Sequence, residues 1–523
     1  MTATDRRDLA GLLGLVVLAA ALRFIGLDGR GTWDADQGHD MLVLRSFVVD
    51  GVVPLLGPPT SIGTFHHGAL YYFLLAPAAW LSGSDPTGVT AFIALAGVGT
   101  VAVTWWLARS IGGRWAGLIA GLFAAVSPAA IEQSTFIWNP NLIPVASAFG
   151  LACAWRAWSL ERPRWWIGAA LGVGVVMQCH VLGAILLPPV IALWAADIRR
   201  AGFDRRGAIV RAGLIGALVI ALMYVPLAIH ELTHSFAETQ AIVGWISSGG
   251  GSGPSFLERL PIVVWRVLAW PLAALITDRP IVATLSALLV VLAVAVCWVA
   301  YRGPQRVAVR WLAGTLVWSV LALVVAAPSL ATIVPGLPND HYHAFVDPII
   351  DVLLALAIAV ALPKTLSMAS LRAPGGEGGA VVGAAAAVIL VVALEVAGMP
   401  QAKAWDGGWP GAEQSGARVA SLAGGRPIQL MSLPSLKNAD AVGFPLTRAG
   451  APLTGPEVTP AAGTSLVIVC DPRFTELLEG GTCDTAIPAA LQDATAPTDL
   501  KATELDRFVA APQRTIAIYA LDA

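Results

Sequence analysis

Apolar residues run along this chain in long blocks rather than in the narrow stripes of a soluble amphipathic helix. Eleven blocks approach the roughly 20 residues that an α-helix needs to cross about 30 Å of hydrocarbon. They fall at 9–27, 87–108, 115–131, 140–158, 165–180, 182–196, 208–229, 280–300, 311–327, 344–362 and 380–398. A shorter block at 68–83 carries the pair Tyr71-Tyr72, which suits the headgroup region, and is read as an interfacial helix. The first block follows Asp5-Arg6-Arg7-Asp8 and ends in Arg23-Phe24 with no small-residue cleavage pattern, so it reads as a span rather than a cleaved signal.

Composition agrees with that pattern. The chain is 56% hydrophobic and 13% charged, where a soluble domain carries about 25% charge, and this excludes a soluble globular protein. With 32 basic against 34 acidic residues there is no basic excess to hold nucleic acid. The basic loops are Arg6-Arg7, Arg109 with Arg114, Arg156 to Arg164, Arg199 to Arg211, Arg302 to Arg310, and Lys364 with Arg372. Lys and Arg near span ends stay cytoplasmic, and all six loops share one side only if 68–83 does not cross. The expected fold is therefore an all-α polytopic membrane protein of about 11 transmembrane helices plus an interfacial helix. It sits in the plasma membrane with its amino terminus cytoplasmic and its carboxyl terminus outside.

This topology sends the unusual polar residues to the external face. Asp34, Asp36, His39 and Asp40 lie in the acidic first loop, 28–86, with His66 and His67 further along it. Glu132, Asn139 and Asn141 follow the third span, and Gln178 and His180 fill a tight junction between two others. His230, Glu231, His234 and Glu238 come later, then Asp340, His341, Tyr342 and His343. All eight histidines fall on this side. Loops are a cheap place for polar residues, yet several of these sit at membrane depth, where an ionisable group is costly and usually functional. The helical spacing of His230, Glu231, His234 and Glu238 resembles a metal site, but a solvated amphipathic face explains it, and no metal is assigned.

The chain divides into a membrane domain, 1–398, and a small extracytoplasmic domain, 399–523. In the latter, Ile428 to Leu433, Ser465 to Cys470 and Arg514 to Leu521 have strand character, and Pro472 to Glu479 suits a helix, predicting a small α/β fold. Cys470 and Cys483 are the only cysteine pair there, and an oxidising exterior lets them bond. Cys153, Cys179 and Cys297 fall in or beside spans as packing residues. The run Gly249 to Gly253 reads as a flexible external loop.

No phosphate-cradling P-loop and no nucleophile elbow occurs, so no cytosolic nucleotide is used directly. Carboxylates, imidazoles and amides on an external face suit transfer from a lipid-linked sugar. The phosphate is already a good leaving group, so the protein has to take a proton from the acceptor hydroxyl and stabilise the departing phosphate.

Trp33-Asp34-Ala35-Asp36-Gln37-Gly38-His39-Asp40 resembles the acidic first-loop motif of the polyprenyl-phosphate-dependent membrane glycosyltransferases with the C-type fold. These include the protein O-mannosyltransferases, the aminoarabinose transferases of lipid A and bacterial proteins like glycosyltransferase family 39. Gly57-Pro58-Pro59-Thr60-Ser61 with His66 to Tyr72, Ile137 to Leu142, Tyr224-Val225-Pro226 with Glu231-Leu232, and His341-Tyr342 are similar to their later motifs. The resemblance spans about residues 10 to 360.

It implies a hexosyl- or pentosyltransferase, inverting because one base drives a single displacement. Asp36 stands where the catalytic base is expected, with Asp34 as runner-up. Asp34 and Asp40 equally suit capping of a helix starting near Gln37. His66, His67, His180, Asn141, His341 and Tyr342 are expected to bind the donor, and histidine at the place of a relative's lysine would make phosphate binding pH-dependent near neutrality. The expected partners are a polyprenyl-phosphate-linked sugar, a lipid, glycan or protein acceptor, and membrane lipids. No particular cofactor is implied, and a divalent cation is compatible with the chemistry. A polysaccharide polymerase or ligase, or a lipid-linked-sugar transporter, is the alternative. A transporter should show inverted repeats and broken helices at mid-membrane.

Overall fold

A computed structural model describes residues 3–523 apart from 61–63, 248–253, 275–278, 332–339, 364–375, 435–438, 456–458, 472–480, 497–499 and 513. The expected helix at Pro472 to Glu479, the glycine run Gly249 to Gly253 and the basic residues Lys364 and Arg372 lie outside the described residues.

The apolar blocks are helical. In chain order the helices are α1 (Ala3–Phe24), α2 (Ala35–Arg45), α3 (Leu70–Leu81), α4 (Pro86–Val126), α5 (Pro128–Glu132), α6 (Ile143–Ser159), α7 (Trp165–Cys179) and α8 (Leu187–Arg200). There follow α9 (Phe203–Met223), α10 (Val225–Thr233), α11 (Ala237–Ser247), α12 (Phe256–Ala273), α13 (Pro280–Ala300), α14 (Gly303–Ala326), α15 (Asp347–Ala359) and α16 (Gly376–Ala397). Several start on a proline, at the one place in a helix where a missing N–H costs nothing.

Among the described residues, seven helices are long and apolar enough to cross a membrane. Their outward faces stay apolar, as Leu214, Leu218, Ile281 and Leu288 show by being more than half exposed. The chain is a multi-pass membrane protein. The 41-residue α4 is two limbs, because Gly113 leaves helical geometry at φ 82°. A side chain would resist that φ, and the turn folds Gly117 and Gly121 back onto Arg109 and Trp105.

The basic loops gather on one face. Asp8 pairs with Arg109 at 2.5 Å and Arg114 at 3.3 Å, while Gln305 donates to the Ile111 carbonyl and Trp115 to that of Pro363. Asp197 takes Arg200 and Arg205 on the same side.

Two helices lie along the opposite, polar face with both ends on it. One is α3, which the sequence predicts: Gly68 before it donates to the Gln178 carbonyl, and Ser84 after it accepts from Arg448. Its tyrosines correct the sequence reading, for Tyr71 and Tyr72 are buried and not set at a headgroup surface. The other, α12, is absent from the predicted spans. Arg259 near its start donates to Val324 at the end of α14, and Pro271 near its end accepts from Ser127.

The C-terminal region is a five-stranded mixed sheet, ordered β2-β1-β3-β5-β4, from β1 (Ile428–Leu433), β2 (Leu453–Thr454), β3 (Ser465–Cys470), β4 (Lys501–Ala511) and β5 (Arg514–Asp522). β1 runs parallel to β2 and β3, while β5 is antiparallel to both β3 and β4. The helices Gly408–Ala423 and Asp440–Arg448 cover one face of the sheet and Cys483–Thr495 the other. β3 is buried at every position because it is covered on both sides, which is why its sequence is a continuous apolar run. Cys470 at its end is bonded to Cys483, at a Cα separation of 5.8 Å.

Candidate active site

The first-loop acids sit on the opening turn of α2. Asp34 is the N-cap: its carboxylate accepts from the Ala35 N–H at 2.7 Å, and Gln37 closes a reciprocal capping box. The same carboxylate accepts from Arg514 at 2.6 Å. Asp36, two residues on, is exposed and makes no hydrogen bond or ion pair with the described residues. Asp40 is not a cap. It is buried one turn further and accepts from the hydroxyls of Tyr71 and Tyr72, each at 2.8 Å. Burial, opposed by those two bonds, pushes its carboxyl up to about 7. His39 pairs with Asp440 at 2.9 Å, and that bond holds the imidazole above its ordinary value.

Residues 57–60 pair with 65–67, Gly57 donating to His67 and His67 to Pro58, and this pairing delivers the two histidines. Its two members part. The His66 Nδ1 meets Glu238 at 3.0 Å and its backbone N–H meets the same carboxylate at 2.7 Å. Glu238 is thus buried and engaged, which corrects its reading as part of a solvated face, whereas His230 is half-buried, His234 is exposed, and the two rings stack at 4.1 Å. Among the described residues no three His, Cys, Asp or Glu side chains form a metal-binding group.

His67 turns inward and joins His180, at 4.7 Å between ring centroids. His180 in turn lies 5.7 Å from His341 and 5.0 Å from Tyr342, and Trp138 packs on His341 at 4.2 Å. Four of the residues singled out from three distant stretches of sequence therefore form one cluster. Asn141 stands beside Trp138 but turns its amide to the Phe136 carbonyl at 2.8 Å, leaving its buried oxygen without a hydrogen-bond partner.

The cluster reaches the acids through Gln37, whose amide donates to the Ile137 carbonyl at 2.9 Å, one residue before Trp138. Two imidazole edges are already defined. Nδ1 of His67 accepts from the Val181 N–H and Nδ1 of His180 from the Leu182 N–H, so in each neutral ring the proton is on Nε2. Burial holds His67 well below its ordinary value, with His180 and His66 adding to the effect. With those tautomers His67 and His180 each carry a donor N–H at Nε2.

Arg266 and Asp340, to which the sequence pattern assigns no role, support the candidate site. Arg266 of α12 grips Asp340 through Nε at 3.0 Å and Nη2 at 2.9 Å and also donates to the Leu330 carbonyl, while His343 closes on the same carboxylate at 3.1 Å. All three are buried. The pair fixes the turn 340–346 that carries His341 and Tyr342. The available signal was a lone arginine in the apolar stretch Leu260 to Ala273.

This fold has known counterparts. The structure of ArnT from Cupriavidus metallidurans bound to undecaprenyl phosphate matches at a TM-score of 0.59 and 16% identity, covering 99% of this chain and 98% of that one. ArnT in the apo state gives 0.57 and 14%, with 97% of each chain covered. The Archaeoglobus fulgidus oligosaccharyltransferase, tethered with an acceptor peptide containing the NVT sequon, gives 0.51 and 12% over 99% of this chain and 74% of that one. No curated protein matches in sequence. The chain therefore shares the fold of these membrane proteins over nearly its whole length. In sequence, residues 66–225 match the model of the family described as dolichyl-phosphate-mannose-protein mannosyltransferase, a match that covers less than half of the chain. The matched segment holds His66, His67, Asn141 and His180, and excludes the acids of α2.

Proposed function

We propose that the protein transfers a sugar from a polyprenyl-phosphate donor to an extracytoplasmic acceptor by a single inverting displacement, with Asp36 as general base. The observation that carries this is the unpartnered carboxylate of Asp36 on a helical turn tied by Gln37 to the imidazole cluster. Asp34 is committed to its cap and to Arg514, which leaves Asp36 free to accept a proton. The Nε2–H groups of His67 and His180 are suited to the phosphate oxygens, and Tyr342 adds a hydroxyl. Asn141 serves the donor through its unpartnered oxygen, which can accept from a sugar hydroxyl.

In this reading the basic face is cytoplasmic, the chain crosses eleven times with α3 and α12 lying in the outer interface, and residues 399–523 form an extracytoplasmic domain. ArnT of known structure binds undecaprenyl phosphate, and a donor on the same carrier is the first to test. Membranes containing the protein should release labelled hexose or pentose from one of a panel of polyprenyl-phosphate sugars. Turnover of none of them would bring transport or polymerisation forward.

Donor binding tests the phosphate site separately. His67→Ala should weaken binding by about 10–100-fold, the loss of one hydrogen bond to a charged group, and His67→Gln should recover part of it by restoring a neutral N–H. Because burial keeps the His67 pKa below the ordinary value of 6.5, the ring is neutral above that pH, and wild-type affinity should show no His67 titration step between about pH 7 and 8. A step there that vanishes in His67→Gln would mean that an imidazolium binds the phosphate.

A further inference from the structure

The segment from Gly29 to His39, which carries both candidate acids, is held mainly from outside the membrane domain. The Ala404 N–H donates to the Gly29 carbonyl. Asp406 accepts from the Thr32 hydroxyl at 2.6 Å and the Trp33 N–H at 2.8 Å. The Trp33 indole donates to the Ala441 carbonyl at 2.9 Å and packs against Trp409 and Phe444. Arg514, at the start of β5, donates through Nη1 to the Trp33 carbonyl at 3.2 Å and through Nη2 to Asp34 at 2.6 Å. His39 meets Asp440. Gly38 lies so close to the helix Asp440–Arg448 that a Cβ there would stand 2.0 Å from the Asp440 carbonyl oxygen.

These contacts come from the sheet, from two of its helices and from the segment that leads into them, and they converge on a single helical turn. A fold that only needed to attach a tail could do so anywhere on the polar face. Attachment at the turn bearing Asp36 fixes the backbone from which its side chain projects. Arg514 is central because it is 9% exposed and its guanidinium holds the carbonyl before the cap and the cap carboxylate together.

We infer that the C-terminal sheet domain is a positioning module for the α2 turn, and that Arg514 is the positioning residue which aims Asp36 by fixing Trp33 and Asp34. The catalytic part of this inference rests on Asp36 being the base, whereas the positioning part stands on geometry alone. A loosened turn leaves the base present but misaligned, and misplacement by about 1 Å can cost on the order of 100-fold in rate.

The test uses the full chain in lipid nanodiscs, comparing wild type, Arg514→Ala and Arg514→Lys. Amide hydrogen exchange is followed in peptides covering 33–40 and, as a control, in β3 and β5. In Arg514→Ala, exchange at 33–40 should rise about tenfold while the sheet stays protected. Its kcat should fall by about 100-fold with donor binding within about twofold, and Arg514→Lys should restore part of both. In an Asp34→Asn background, Arg514→Ala should add less exchange than it does alone, because the partner is already weakened. Unchanged exchange at 33–40 overturns the inference, and so does a rise in the sheet as large as that in the turn, which would make Arg514 a folding residue. If the wild type turns over no donor, the proposed function fails while the exchange data still decide the positioning role.

Discussion

Asp36→Asn is expected to reduce sugar transfer by about 10²–10⁴-fold, the usual contribution of a general base, without loss of expression or donor binding. The substitution keeps size and shape and removes only the ability to take a proton. Asp36 is exposed and free of hydrogen bonds or ion pairs with the described residues, so its loss leaves no buried group unsatisfied. Asp34→Asn provides the contrast. Asp34 caps α2 and receives Arg514, so this variant should lower thermal stability and loosen the turn, with activity falling as a consequence. The comparison requires turnover of a labelled polyprenyl-phosphate sugar, donor binding and melting temperature on the same preparations. Full activity in Asp36→Asn would remove it as the base and put Asp34 in its place.

Arg266→Ala should be the most destabilising single change in the membrane domain, at about 3–5 kcal/mol. It strands the buried Asp340 carboxylate, which otherwise accepts two guanidinium bonds and one from His343. The loss is expected to reach the donor site, because the turn 340–346 holds His341 and Tyr342 against His180. Thermal unfolding of the solubilised protein measures the first effect and donor affinity the second. Arg266→Met combined with Asp340→Leu should regain much of the stability, since removing both charges leaves neither one buried alone. A double variant as unstable as Arg266→Ala would show that the ion pair is not the source of the effect.

The apolar blocks were legible because the length of a hydrophobic run is a local property, and Pro, Gly and Asp at the ends mark where a helix starts or turns. Interruption by partnered polar residues hid α12. Arg259, Pro261, Arg266 and Pro271 break its apolar run, and the partner that makes Arg266 tolerable, Asp340, is 74 residues away. In the tail, β1, β3 and β5 are legible from their apolar runs, whereas β4 is an edge strand, half-buried to exposed except at Ala511, with Lys501, Glu504, Asp506 and Arg507 in its sequence. Nothing local to the paired tyrosines reveals that Asp40 waits behind them. Nor does anything near Glu238 reveal its burial, its partner His66 being remote in sequence.

By itself, the sequence determined that the chain spans a membrane many times and that its basic residues cluster in short loops between apolar blocks. These follow from hydrophobic length and charge placement, and each is settled within a short stretch of chain. Only the tertiary structure decided which acid is free. Asp34 and Asp36 are chemically identical and two residues apart, and their difference comes from Arg514, which arrives from 480 residues away to engage one and leave the other open. Ionisation and reactivity depend on neighbours within a few ångströms, and in this chain those neighbours are supplied by the fold.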